Sequence, residues 1–207
     1  MPAETITRSV TEKMKEANPG TVFFPADLLE FGAPDAIHQT FSRLARNKTL
    51  VRLAKGIYVK PKTDPELGVL RPSLEDVARQ IAERDKVVIR PTGAAALNKL
   101  GLSTQVPTKV VYLTNGNPKR IKVGRSTIVF KKTTHKQLAV QTETVFLAIQ
   151  ALISLGEQAE NPDIIRQLTE VLRAENPADI RNGARLAPQR IGRILYQIAN
   201  NIETSAI

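Results

Sequence analysis

The side chains that most often carry out catalysis are scarce in this sequence. Its two histidines, His38 and His135, fall on separate predicted elements and have no carboxylate at metal-ligand spacing. The 207 residues include no cysteine and no G-x-S-x-G, Walker A or G-x-G-x-x-G motif. The segment from Gly93 to Ala96 resembles a phosphate loop but lacks the lysine and the second glycine, so close helix packing explains it better. We therefore expect a protein that is not an enzyme and binds no metal or cofactor.

Polar and basic side chains around a helix predicted from Pro34 to about Asn47 fit a different chemistry, the reading of DNA. Ile37, Phe41 and Leu44 recur at i, i+4 and i+7 and form its apolar stripe. Short polar or forked donors on the other faces suit hydrogen bonding to base edges in the major groove. The candidate base contacts are His38, Gln39, Ser42 and Arg43. The candidate phosphate contacts, at the helix end and on the following hairpin, are Arg46, Lys48, Arg52, Lys55 and Lys60.

A polar stripe of this kind is also typical of an ordinary solvated helix face. The basic hairpin directly after the helix is the feature that favours DNA over plain solvent exposure. Asp35, near the start of the helix, fits a helix cap and is left out of the predicted interface.

The elements around this helix are predicted to follow the order of a winged helix-turn-helix domain over residues 1–62. A first helix from Thr5 to Ala17 ends at Asn18-Pro19-Gly20, and a short extended segment follows. A second short helix, Ala26–Phe31, has Leu28, Leu29 and Phe31 as its buried candidates. After the third helix, two β-prone runs flank Ala54-Lys55-Gly56 and form a hairpin. In winged helices the third helix enters the major groove.

The positive charge of the chain, +10 in total, is unevenly distributed. From Lys86 to Thr142 there are 11 basic residues and no acidic one, whereas residues 143–207 carry six basic and eight acidic side chains. Such a stretch is typical of a surface that faces a polyanion, although each residue alone is explained by solvent exposure. The second predicted phosphate-binding cluster is Lys119, Arg120, Lys122, Arg125, Lys131 and Lys132. Phosphate contacts give affinity and register rather than sequence choice.

The rest of the chain is predicted to be a linker, residues 63–72, and a C-terminal domain, residues 73–207. Ser73 and Asp76 form a capping box, and Val87–Ile89 is expected to be a short buried strand. A helix from Ala94 to Leu100 precedes a small antiparallel β element with a basic face, and the last third is helical. Val145, Ile149, Leu152 and Ile153 are expected to share one buried stripe there. The predicted fold class is therefore α+β.

Nothing in the sequence indicates a membrane or an exported protein. The first ten residues lack the pattern of a signal peptide, and the most apolar run, from Val145 to Leu155, is about half the length of a membrane span. We therefore expect a cytoplasmic protein without a membrane partner.

Two segments resemble the AbiEi-type antitoxins of bacterial abortive-infection systems. The run from Phe41 to Tyr58 is similar to the end of that family's N-terminal winged helix, with Asn47 in place of the usual glycine after the recognition helix. Asparagine tolerates the left-handed conformation that such a turn needs. The segment from Thr92 to Leu102, followed by Lys109–Leu113, looks like the opening of that family's C-terminal domain. The resemblance spans roughly residues 5 to 155.

This resemblance implies an antitoxin that represses its own operon. In that family the winged helix, helped by the basic face of the second domain, binds inverted repeats of double-stranded DNA in the promoter. The second domain acts against a nucleotidyltransferase-like toxin, and direct toxin contact is not implied. Two other functions stay open at this point: a stand-alone winged-helix regulator with a partner- or ligand-binding C-terminal domain, and a nucleic-acid-processing enzyme.

Overall fold

The computed structural model describes residues 3–204, which fold as a mixture of helices and small sheets. The α+β class expected from the sequence is therefore confirmed. The chain divides into two compact units. The first contains the chain up to Lys86 together with Ile121–Ser126, and the second contains Val87–Arg120 and the chain from Thr127 onward.

The first unit begins with the elements that surround the candidate DNA-reading helix. They are α1 (Ala3–Glu16), β1 (Val22–Phe23), a 3-10 helix (Pro25–Phe31), α2 (Pro34–Arg46), β2 (Val51–Ala54) and β3 (Ile57–Val59). The three strands form one sheet in the order β1-β3-β2, and both pairs are antiparallel. The unit continues with β4 (Lys62–Asp64), β5 (Gly68–Leu70) and α3 (Leu74–Asp85).

The apolar stripes of α1 and α2 build the core of this unit. Ile37, Phe41 and Leu44 are buried as expected, and the ring of Phe41 lies 5.0 Å from that of Tyr58 on β3. Ile6, Val10 and Met14 of α1 join the same cluster. One face of α2 packs into this cluster, and its opposite face is exposed to solvent.

Two local expectations for this unit are wrong. Leu28 is buried as expected, but Leu29, also expected in the core, is 47% exposed, because the 3-10 helix is kinked at Leu28. The left-handed turn after α2 was expected at Asn47, which instead has φ −81°. Lys48 adopts the left-handed conformation with φ 58°, because Asn47 still bonds back to Arg43 at the helix end.

The segment predicted as a linker, 63–72, contains most of the hairpin formed by β4 and β5, which pair antiparallel. The helix α3 was predicted to open the second domain but lies in the first unit. Gln80 on α3 accepts a bond from the Val22 N–H at 2.7 Å and donates to the Gly20 carbonyl at 3.1 Å, which ties α3 to β1. The predicted cap is confirmed, since the Ser73 hydroxyl accepts from the Asp76 N–H.

The second unit combines a four-stranded sheet with a helical end. Its elements are β6 (Ile89–Thr92), α4 (Ala94–Lys99), β7 (Lys109–Thr114), β8 (Lys119–Val123), β9 (Ser126–Lys132), α5 (His135–Leu138), α6 (Glu143–Leu155), a 3-10 helix (Gly156–Glu160), α7 (Pro162–Leu172), α8 (Pro177–Leu186) and α9 (Gln189–Thr204). Residues 121–126, which include most of β8 and the turn after it, belong by their contacts to the first unit.

The expectation of an antiparallel sheet here is wrong, because β7 and β9 run parallel. The strand order is β6-β7-β9-β8. Buried Ile128, Val129 and Phe130 make β9 the more apolar strand, so it takes the inner position and the basic β8 takes the edge. The predicted strand Val87–Ile89 is also displaced: pairing with β7 covers Ile89–Thr92, and Val88 is 51% exposed.

The helical end packs around α6, which is buried at every position from Val145 to Leu152. Ile153 was expected in its buried stripe but is 41% exposed, near the C-terminal end of the helix. Gly183 and Gly192 let neighbouring helices approach closely. A Cβ on Gly183 would lie 2.3 Å from Cγ1 of Val145, and one on Gly192 would lie 2.7 Å from the Ala184 carbonyl oxygen.

Candidate nucleic-acid interface

The solvent side of α2 forms an open groove whose lining includes all four residues predicted to read bases. His38, Gln39, Ser42 and Arg43 all lie in it and are all exposed. Arg46, one turn later, lines its end. Their spacing keeps them on one helix face, directly opposite the buried stripe of Ile37, Phe41 and Leu44. The structure thus brings together the four candidate base contacts and one candidate phosphate contact.

Arg43 is held in place from a neighbouring helix. Its guanidinium Nη2 donates a hydrogen bond to the hydroxyl of Thr7 on α1. Thr7 also lines the groove, so the contact fixes the arginine at the groove's edge. An arginine whose side-chain rotamers are already restricted loses less conformational entropy when it binds a ligand. Thr7 could not be identified from the sequence, because nothing in the α1 pattern distinguishes it from the other polar residues of that helix.

Two of the predicted hairpin cations remain available on the surface. Arg52 on β2 is exposed, with its guanidinium carbon 5.9 Å from the ring centre of Tyr58. Lys55 is exposed in the turn, where Gly56 takes the positive φ of 71° that the sequence predicted for this position. Lys48 is also exposed, directly after α2.

Lys60 has a different place from the one predicted for it. Its Nζ donates to the carbonyl oxygens of Lys15, at 3.0 Å, and Ala17, at 2.9 Å. These carbonyls lie at and just after the end of α1, so Lys60 caps the negative end of that helix. We therefore remove Lys60 from the candidate interface.

The second predicted cluster is divided between the two units. Lys122 and Arg125 belong to the first unit, and Lys119, Arg120, Lys131 and Lys132 belong to the second. Arg120 and Lys122 lie on the exposed face of β8, while Lys131 and Lys132 are exposed at the end of β9. Lys119 is half-buried, with its Nζ 5.1 Å from the ring centre of Phe130. Five of the six side chains therefore face solvent.

Arg90, like Lys60, is a cation with a structural role, and it was not among the residues singled out from the sequence. Arg90 on β6 donates to the carbonyl oxygens of Val140 at 2.6 Å, Thr142 at 3.2 Å and Leu138 at 3.3 Å, and lies 3.9 Å from the ring centre of Phe146. Burial lowers the pKa of Arg90, although a guanidinium stays charged at any ordinary pH. Arg90 therefore holds the segment before α6 and is unavailable to nucleic acid.

Asp35 also lies in the groove of α2, contrary to the cap that was predicted for it. It lines the groove beside His38 and Gln39, three and four residues later on the helix. Ala33 is the N-cap residue of α2, and no side-chain hydrogen bond caps this end. The same helical spacing that identified the basic residues would have placed Asp35 on their face.

Residues 3–204 offer neither a cluster of metal ligands nor a membrane-spanning helix. No group of three or more histidine and acidic side chains in this part of the chain could hold a metal ion. No helix within it has both the length and the apolar character to cross a membrane.

A family model matches most of this chain. No curated protein matches the chain. The model of a family of unknown function, DUF6088, matches residues 9–180, which include α2, the sheet and most of the helical end. Because this match covers well over half of the 207 residues, the chain belongs to the DUF6088 family.

Proposed function

We propose that this protein binds double-stranded DNA sequence-specifically and represses transcription of its own operon. The first 60 or so residues are proposed to be the DNA-binding module, a winged helix. The element order helix, strand, helix, helix, hairpin supports this assignment, as does a sheet in which β1 pairs with the second strand of the hairpin. In such modules the helix before the hairpin enters the major groove, and here that helix is α2.

The observation that carries the proposal is the exposed face of α2. Its polar and basic side chains share one groove, and every large apolar side chain of the helix is buried on the other side. Arg43 suits bidentate donation to guanine, and Gln39 suits adenine. Arg46, Lys48, Arg52 and Lys55 are exposed around this helix face and suit phosphate oxygens. Histidine and serine add hydrogen-bonding groups of either polarity.

The exposed cations of the sheet support additional phosphate contacts made from outside the first 60 residues. Lys131 and Lys132 lie at the end of β9, within a stretch of 57 residues that has no carboxylate. Contacts of this kind raise affinity for every sequence alike.

The antitoxin role of the protein is proposed from its resemblance to AbiEi-type antitoxins. On this proposal the operator is an inverted repeat, and the second unit acts against a nucleotidyltransferase-like toxin encoded in the same operon. We also propose that the protein is not an enzyme and that it acts in the cytoplasm, without a membrane partner.

The experiment compares two double variants on two duplexes, the region upstream of the protein's own gene and a scrambled duplex of equal composition. Q39A/S42A should lose most of the preference for the upstream duplex. K131A/K132A should weaken binding to both duplexes by a similar factor and make the salt dependence of log K shallower by about 1.8, because each lysine that neutralises a phosphate adds about 0.9 to the slope. R193A, which removes an exposed arginine of α9, is the control and should bind as wild type does. An unchanged preference in Q39A/S42A would refute the role of the groove.

A further inference from the structure

The groove of α2 contains a carboxylate, which is an unexpected group on a surface that approaches DNA phosphates. Among the residues that line this groove, Asp35 is the acidic one. It is exposed in the first turn of α2, and no cation or hydrogen-bond donor of residues 3–204 is paired with it. Three other acidic residues near α1 and α2 differ: Glu12 pairs with Arg8, Glu30 with Lys13, and Asp27 with Arg84.

An unpaired carboxylate opposes DNA binding unless a hydrogen-bond donor of the DNA meets it. Phosphate oxygens repel it, and so do the acceptors N7 and O6 of guanine, N7 of adenine and O4 of thymine. The amino group at cytosine N4 is a donor without a neighbouring acceptor on the same base edge. A carboxylate that accepts from this group gains a charge-assisted bond there and is penalised at other bases.

The position of Asp35 on the helix is suited to such a contact. Base contacts in helix-turn-helix proteins come from the N-terminal part of the recognition helix. Asp35 is the second residue of α2, and His38 and Gln39 follow it on the same face. Asp35 is thus at the end of the polar face that lies nearest to the helix N-terminus.

We propose that Asp35 is a specificity-determining residue that selects cytosine in the operator by accepting a hydrogen bond from its N4 amino group. This inference rests on the proposed function, because it assumes that α2 reads bases. The carboxylate contributes to specificity in two ways, because it disfavours the other bases as well as favouring cytosine.

The test is a selection from a pool of random duplexes, followed by sequencing, for wild type and three variants. The wild-type pool should show a cytosine at one position of each half-site, preferred by about five- to tenfold, the lower part of the range for a direct base contact. D35A should lose the preference at that position alone. D35N should replace cytosine by adenine, because an amide pairs with adenine N6 and N7. E16A is the control: it removes an exposed carboxylate of α1 outside the groove and should select as wild type does.

A thermal melt of each variant separates this role from a structural one. If Asp35 only stabilises the positive end of the α2 dipole, D35A lowers the melting temperature and leaves every base preference unchanged. That result would overturn the inference, and so would the loss of a preference for a base other than cytosine. A wild-type pool without any enriched motif would contradict the proposed function itself, and the inference with it. An enriched motif that D35A leaves intact would contradict the inference alone.

Discussion

At the scale of single residues, the groove of α2 depends on side chains that other residues hold in place. The Arg43 guanidinium bonds to the Thr7 hydroxyl, so α1 sets its orientation in the free protein. Restricting a long side chain in the free protein reduces the entropy that binding must remove, which for such side chains is about 0.5–1.5 kcal/mol.

Replacing Thr7 by valine tests this arrangement. T7V keeps the branched shape and removes the hydroxyl, so we expect affinity for the upstream duplex to fall about fivefold, the equivalent of ~1 kcal/mol. The measurement is a fluorescence-anisotropy titration with a labelled duplex. T11V is the matched control, one helical turn further along α1 on a residue that does not bond to Arg43. Equal reductions in T7V and T11V would show that the Thr7 hydroxyl does not prepare Arg43 for binding.

Most groove residues could be predicted from the sequence, because a helix with a clear apolar stripe fixes which positions face away from it. Ile37, Phe41 and Leu44 therefore define where His38, Gln39 and Arg43 point. The bond between Thr7 and Arg43 and the position of Lys60 could not be predicted. Each depends on how two elements distant in the sequence pack together, and side-chain periodicity carries no information about that packing.

At the scale of elements, Lys60 connects the end of β3 to the end of α1. Its ammonium group bonds to two carbonyls, and the Lys60 N–H and carbonyl bond to Thr21 and Gly20 respectively. A hydrogen bond that involves a charged group typically contributes about 1.5–3 kcal/mol to stability, and less where the group is partly exposed, as the Lys60 ammonium is.

Replacing Lys60 by methionine should therefore affect folding rather than DNA recognition. K60M keeps most of the aliphatic chain and removes the ammonium group, so we expect the free energy of unfolding to fall by ~1–2 kcal/mol. Urea denaturation followed by circular dichroism measures the change. K62M, on an exposed lysine two residues later, is the control for charge and should leave stability within ~0.5 kcal/mol of wild type. Unchanged stability in K60M, combined with a drop in DNA affinity larger than that of K62M, would return Lys60 to the interface.

The element order of residues 3–59 followed from the sequence, whereas the β4–β5 hairpin and the sheet of the second unit did not. Turn signals such as Gly56 and Gly20 separate short elements clearly, so strand and helix bounds there agree within a few residues. In the sheet, the turn after β7 suggested a hairpin with β8. Instead, β7 pairs with β9, which has the greater apolar content. Which strand takes the inner position depends on tertiary packing, and the turn sequence carries no information about it.

At the scale of the whole molecule, the proposed affinity for a polyanion rests on exposed cations in both units. The net charge is +10, and the cations that face solvent include those around α2 and those at the end of β9. Net charge alone favours any polyanion, so it supports affinity and not choice of sequence. In the proposed function, choice of sequence depends on the groove of α2, where hydrogen-bonding side chains of both polarities lie together.

The central claim is tested most directly by the affinities of the wild-type chain for two duplexes at physiological salt. One is the region upstream of its own gene, and the other is a scrambled duplex of the same length and base composition. Specific binding is typically about 1,000-fold or more tighter than non-specific binding, and the account predicts a ratio of at least that order. Equal dissociation constants for the two duplexes would contradict it.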